Sequence, residues 1–140
     1  MPPEKSRTAL LLAAALMLPS AASMAAEAAK DEGPTDIELP AILAPMVVDN
    51  RLDSYAYIVI QLTPAARDKV FTIREKVPFL QDAFLREVNK TPIAKADDPK
   101  AVDQPELKKR LLARLGQILQ SGTVSDLKFE QIVLTPIQPQ

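Results

Sequence analysis

Hydrophobic spacing divides the last third of the chain into a helix and a strand. Leu107, Leu111, Leu115, Ile118 and Leu119 recur three and four apart, which makes one apolar stripe on a helix. Lys108, Lys109, Arg114, Gln117 and Gln120 fall off that stripe. Asp103 or Gln104 is placed to cap the start, Pro105 suits the first turn, and Glu106 follows Asp103 by three. Gly122 stands where a left-handed stop is expected. From Val124 to Thr135 the period changes to two, so that Leu127, Phe129, Gln131 and Val133 alternate with Lys128, Glu130, Ile132 and Leu134.

Upstream, Met46 to Asp49 predicts a short strand, and the polar residues Asn50 to Ser54 predict a turn. Tyr55 to Thr63 is the strongest strand pattern: Ala56, Ile58, Ile60 and Leu62 face one way and Tyr55, Tyr57, Val59 and Gln61 the other. Thr63 and Pro64 then read as the cap and first position of a helix. Its face is Ala66, Val70, Ile73, Val77, Leu80, Phe84 and Val88, running to about Asn89. Pro78 lacks an N–H and clashes with the Arg74 carbonyl, which predicts a kink or two abutting helices. Thr91 to Pro105 is polar and holds Pro92 and Pro99, so a loop or a short turn of helix is expected. Two amphipathic helices on the aliphatic side of a sheet give a two-layer α+β domain, a small antiparallel sheet with helices on one face. The final strand should pair beside Tyr55–Thr63.

Composition narrows the chemistry. The 140 residues contain no Cys, His or Trp, which removes disulfides, imidazole bases and the usual nitrogen and sulfur zinc sites. A net charge of -1 gives no electrostatic basis for a nucleic-acid partner. The chain has 3 Gly against 13 Pro, which disfavours phosphate-cradling glycine loops.

Residues 1–26 read as a secretory signal peptide. Lys5 and Arg7 precede the apolar run Thr8–Leu18, Pro19 breaks it, and Ser20/Ala22 or Ser23/Ala25 form small-x-small cleavage sites. The alternative is an uncleaved anchor in the inner membrane, because the uncharged stretch Thr8–Ala26 approaches the roughly 20 residues of a spanning helix. Its second half is only weakly lipophilic, which favours cleavage. Residues 27–45, with Gly33, Pro34, Pro40 and Pro45, read as a linker, residues 46–136 as the folded domain and 137–140 as a tail.

Candidate reactive groups do not converge. Asp97, Asp98 and Asp103 offer oxygens of the kind calcium takes, but without the spacing or glycine of the usual loop, and a solvated loop is the favoured reading. Lys108, Lys109, Arg110 and Arg114 form a basic surface that suits either anionic lipid or, more ordinarily, the solvated back of a helix. Ser54 has no base in its neighbourhood of the sequence. Tyr55 and Tyr57 could stack on a ligand, although such pairs usually pack against cross-strand neighbours. Catalytic residues, cofactor-binding residues and metal ligands are therefore none, no cofactor is expected, and the expectation is that the protein is not an enzyme.

Three stretches, in order, resemble the flagellar basal body-associated protein FliL family. "APMVVDN" with "SYAYIVIQL" looks like its extended segment leading into a long strand. "IREKVPFLQDAFLREVNK" is similar to its helix, and "ELKKRLLARLGQIL" with "VSDLKFEQIVL" to its closing helix and strand. The resemblance covers about Pro45 to Leu134. It implies a periplasmic domain similar in fold to the stomatin and prohibitin family, with no catalytic residues. It also implies a scaffold role at the flagellar basal body: a homo-oligomer forming rings around stator units at the inner membrane and supporting motility. Family members normally keep an N-terminal transmembrane helix, where this chain carries a leader with cleavage sites. The alternative function is a periplasmic binding module of the cell envelope unrelated to flagella.

Overall fold

A two-residue turn sets the register of the sheet. In the computed structural model, which describes residues 35–138, strand β2 (Ile42–Val48) and strand β3 (Arg51–Pro64) form a hairpin in which Val48 pairs with Arg51. Asp49 and Asn50 lie between them with φ of 51° and 61°. Two consecutive positive φ values match the twist of the flanking strands, and Asp and Asn tolerate that region better than most residues. The expected turn at Asn50–Ser54 is therefore corrected: the chain reverses at 49–50, and Arg51–Ser54 already belong to β3.

β3 is the sheet's centre. Along one edge it pairs antiparallel with β2 and, further on, with the short β1 (Ile37–Glu38), where Ile37 meets Leu62. Along the other edge it pairs antiparallel with β4 (Val124–Pro136), from Ser54↔Pro136 to Pro64↔Val124. The domain is α+β, a small antiparallel sheet with two helices over one face.

The linker expected at residues 27–45 ends earlier than its prolines implied. Ile37, Leu39, Ile42 and Ala44 are buried, and β1 and half of β2 lie within that range. Pro40 falls in the break between the two strands and Pro45 at an outer-strand position, where a missing N–H is tolerated. Asp36 also holds the start of the domain, accepting from Thr63 Oγ1 at 2.8 Å.

The expected cap at Thr63 is also overturned. β3 continues through Pro64, which is buried opposite Val124, and the helix α1 (Lys69–Lys90) begins only after tight turns at Ala66 and Arg67. Cross-strand pairing outcompetes an early helix start. Ala66 is consequently exposed, while Ile73, Leu80, Phe84 and Val88 form the buried stripe. α1 runs unbroken through Pro78, so the alternative of two separate helices fails.

Helix α2 (Gln104–Ile118) has Asp103 as its cap, whose Oδ1 accepts from the Glu106 N–H at 3.3 Å, and a proline in the first turn. Leu107, Leu111 and Leu115 are buried against the sheet and α1. Gly122 has φ 82°, yet it does not stop the helix. It sits in a later turn closed by the Thr123 N–H on the Gln120 carbonyl. The loop before α2 is pinned rather than free: Ile93 and Val102 are buried, and Asp103 N–H donates to the Ile93 carbonyl at 2.8 Å.

The core is one cluster joining Ile58, Ile60 and Leu62 of β3 to the two helix stripes. β4 reaches it with a change of phase. Val59 pairs with Gln131 but Ile60 pairs with Phe129, which leaves Glu130 as a bulge. Leu127 and Phe129 face the core before the bulge, and Ile132 after it. The uniform alternation expected for β4 is thus corrected, and Val133 falls on the opposite face, beside Tyr57.

Candidate docking faces

The helices leave one sheet face without a cover among the described residues. On it, Leu43, Tyr57 and Val133 lie in register across β2, β3 and β4, and Tyr55 pairs with Thr135. Leu43, Tyr55, Tyr57 and Val133 are between 40% and 54% exposed, and they are neighbours on this face, so they form a patch rather than scattered apolar residues. With Gln131 and Thr135 they line an open depression of about 410 Å³ in which no residue is charged. The strand pattern predicts Tyr55 and Tyr57. Val133 was legible only as a member of β4, because the bulge decides its face.

The second candidate is the seam between the helices. Glu87, on α1, is buried and meets two arginines one turn apart on α2. Arg114 Nε donates to Glu87 Oε2 at 2.8 Å. Arg110 Nε lies 3.1 Å from Oε1 without hydrogen-bond alignment, a charge contact only. Its outer nitrogens donate to the carbonyls of Pro92, at 2.9 Å, and Thr91, at 3.1 Å. Arg110 therefore satisfies the chain leaving α1 while facing the α1 carboxylate. The Arg114 hydrogen bond holds the Glu87 carboxyl below its ordinary value, burial opposes this, and the charges of Arg114, Arg110 and Lys90 add to it.

This geometry corrects the picture of a solvated basic helix back. Arg110 and Arg114 turn inward, and Lys108 is 3.0 Å from Asp126 on β4. That contact with the Lys108 ammonium is the main reason the Asp126 carboxyl is also lowered; burial opposes it and the Leu127 N–H helps. Lys109 is exposed. The seam opens outward as a groove of about 570 Å³ edged by Phe79, Arg86, Lys90 and Gln117. Phe79 is 61% exposed, with the Lys76 ammonium 5.2 Å from its ring centre, and Phe71 is 70% exposed. None of Glu87, Phe71 and Phe79 was singled out from sequence. Their signal was position alone: each lies off the apolar stripe of α1.

The other candidate groups are scattered or occupied. Ser54 is buried on β3 beneath the helices' side of the sheet. Asp103 caps α2, and Asp98 accepts from the Lys100 N–H at 3.1 Å. Among the described residues no group of three or more acidic residues is arranged to hold a metal ion, and no helix is long and apolar enough to cross a membrane. The signal peptide or anchor expected at residues 1–26 lies outside the described residues.

No protein-family model and no curated protein matches the chain.

Proposed function

We propose that the protein is a non-enzymatic scaffold of the periplasm that works by docking, associates with itself, and supports motility at the flagellar basal body and its stator units, as the FliL family does. One observation carries the docking part: the uncovered sheet face with its uncharged Leu43–Tyr57–Val133 row. An apolar surface of that kind, on a domain with no converging acid and base groups among the described residues, suits a protein partner. The flagellar part rests on the order and spacing of the three stretches resembling the family. The depression over Tyr55 and Tyr57 is open rather than enclosed, which favours docking over a small-ligand site in the alternative envelope-binding reading.

Deleting the gene tests the flagellar part. Swimming in soft agar and swarming on firm agar are expected to fall, most under load, and to return with the wild-type gene. Unchanged motility under load removes the flagellar assignment. Complementation with Tyr57→Glu, which charges the bare face, should leave the protein at wild-type abundance and fail to restore motility. Full rescue by that variant overturns the role of this face.

A further inference from the structure

We propose that two copies of this chain join through the outer edge of β4, antiparallel about a two-fold axis at Val133, to make one continuous sheet. The two outer edges of the sheet differ. The edge of β2 carries Pro45, and the Pro92–Ala94 loop lines a small cavity together with Pro45 and Val47. Proline and neighbouring loops are ways in which a sheet edge is closed to other chains. β4 has charges at Asp126, Lys128 and Glu130, but none from Gln131 to Thr135. Among the described residues that segment pairs with β3 alone. It carries exposed apolar side chains on both faces: Val133 is 42% and Leu134 37% exposed.

The backbone fixes how a second copy would fit. The Ile137 N–H donates to the Asp53 carbonyl at 3.0 Å, one step beyond the Ser54↔Pro136 pair. Antiparallel pairs alternate between hydrogen-bonded and non-bonded sites, so Thr135, Val133 and Gln131 turn their polar groups to β3. Ile132 and Leu134 then turn theirs outward. Pro136 is at an outward position as well, where its missing N–H closes that end of the edge. Centring the axis on Val133 sets Ile132 against Leu134 of the second copy, and each such pair exchanges both N–H···O bonds. Gln131 meets Thr135, and Glu130 meets Pro136, so no like charges oppose each other. An axis at Ile132 would set the bulged, charged Glu130 against Leu134, inside the apolar stretch, and an axis at Leu134 would set Pro136 against Ile132.

The joined sheet extends the Leu43–Tyr57–Val133 row straight into its symmetry mate, and it covers Leu134 with Ile132 of the second copy. This rests on the self-association in the proposed function and names a two-fold contact within it, which joins copies in pairs, so that a ring would be assembled from such pairs through a second contact; it stands without the flagellar assignment. A dimer in solution with unaffected motility would keep the interface and remove the flagellum.

The full chain has no cysteine, so a single Val133→Cys substitution reports the axis directly. A non-bonded antiparallel pair brings the two side chains close, and mild oxidation should convert most of the protein to a covalent dimer, while Leu43→Cys on β2 should stay largely monomeric. Sedimentation across a micromolar series should show a wild-type dimer. Val133→Lys and Val133→Glu should each raise the dissociation midpoint at least about tenfold, with circular dichroism unchanged. Mixing those two variants should restore the dimer, because residue 133 faces itself. The proposal is overturned by a wild-type chain that stays monomeric throughout, by Leu43→Cys cross-linking as well as Val133→Cys, or by a mixture that fails to re-associate.

Discussion

Glu87 Oε2 on α1 and Arg114 Nε on α2 lie 2.8 Å apart, and Arg110 closes the same carboxylate from the other side. The pair stitches the end of one helix to the middle of the next at a place where burial would otherwise penalise a charge. Arg110 then carries the tie onward to the Thr91 and Pro92 carbonyls, so helix end, loop and second helix share one anchoring residue.

Glu87→Gln should therefore cost about 1–3 kcal/mol, below the range for a fully buried pair because Arg114 is 37% exposed and water screens it. Its effect should depend on pH. The Glu87 carboxyl is lowered in the folded chain from an ordinary value of 4.5. A lowered carboxyl contributes stability that is whole above the unfolded value and is lost as pH falls through the folded one. Urea midpoints of wild type and variant should stand furthest apart at neutral pH and converge as the pH drops below 4.5. A constant gap across that range would mean that the charge on Glu87 is not what holds the seam.

The bulge at Glu130 makes a sharper prediction about neighbouring residues. Ile132 packs on the core and Val133 on the bare face, although plain alternation from Leu127 assigns them the other way round. Ile132→Asp should cost about 2–3 kcal/mol, because a carboxylate would enter the apolar layer. Val133→Asp should stay within about 0.5–1 kcal/mol when denaturation is followed at a concentration low enough to hold the chain monomeric. The reverse ranking would show that β4 keeps one phase throughout.

The hairpin turn can be tested at one residue. Asn50 holds φ 61° next to Asp49 at 51°. Asn50→Gly should leave stability equal or slightly raised, since glycine takes that conformation freely. Asn50→Val should cost about 1–2 kcal/mol, because a β-branched side chain crowds its own carbonyl there. Thermal melts of the two variants decide it, and equal melting points would indicate that the turn adopts another geometry in solution.

The parts of this fold that could be read from the residues are those where one local signal goes uncontested. Asp103, Pro105 and Glu106 mark the start of α2, and Ala56 to Leu62 give a strand with a fully apolar side; both stand as read. Two of the misreadings share a cause, which is competition from pairing partners distant in sequence. Thr63–Pro64 has good helix-start chemistry, but Val124 and Asp126 lie opposite and keep it in the strand. Pro40 and Pro45 suggest a linker, yet Ile37, Leu39 and Ile42 find the core through β3. The bare face was half legible: Tyr55 and Tyr57 announce it, while Val133 joins it through a bulge that the apolar pattern of β4 conceals. The Glu87 seam was not legible, because an acid and two arginines separated by more than twenty residues carry no local mark.

Pro78 sits in the interior of α1, at an exposed position, and the helix continues past it without a break. That arrangement leaves the Arg74 carbonyl without its usual donor and sets the proline ring against it. Water can satisfy the carbonyl on this side of the helix, but a proline ring still disfavours regular helical geometry at that carbonyl. What keeps the helix whole is tertiary packing: Ile73 and Leu80 flank the site and are both fully buried. Pro78→Ala removes the ring and supplies the N–H while deleting no core contact, so it should stabilise the domain by about 1–3 kcal/mol. Chemical denaturation reads this directly. Helix content by circular dichroism should change little, because the packed residues already enforce the helix. A destabilised variant would mean that the proline bends α1 to fit the sheet, and that the buried stripe on either side of it depends on the bend.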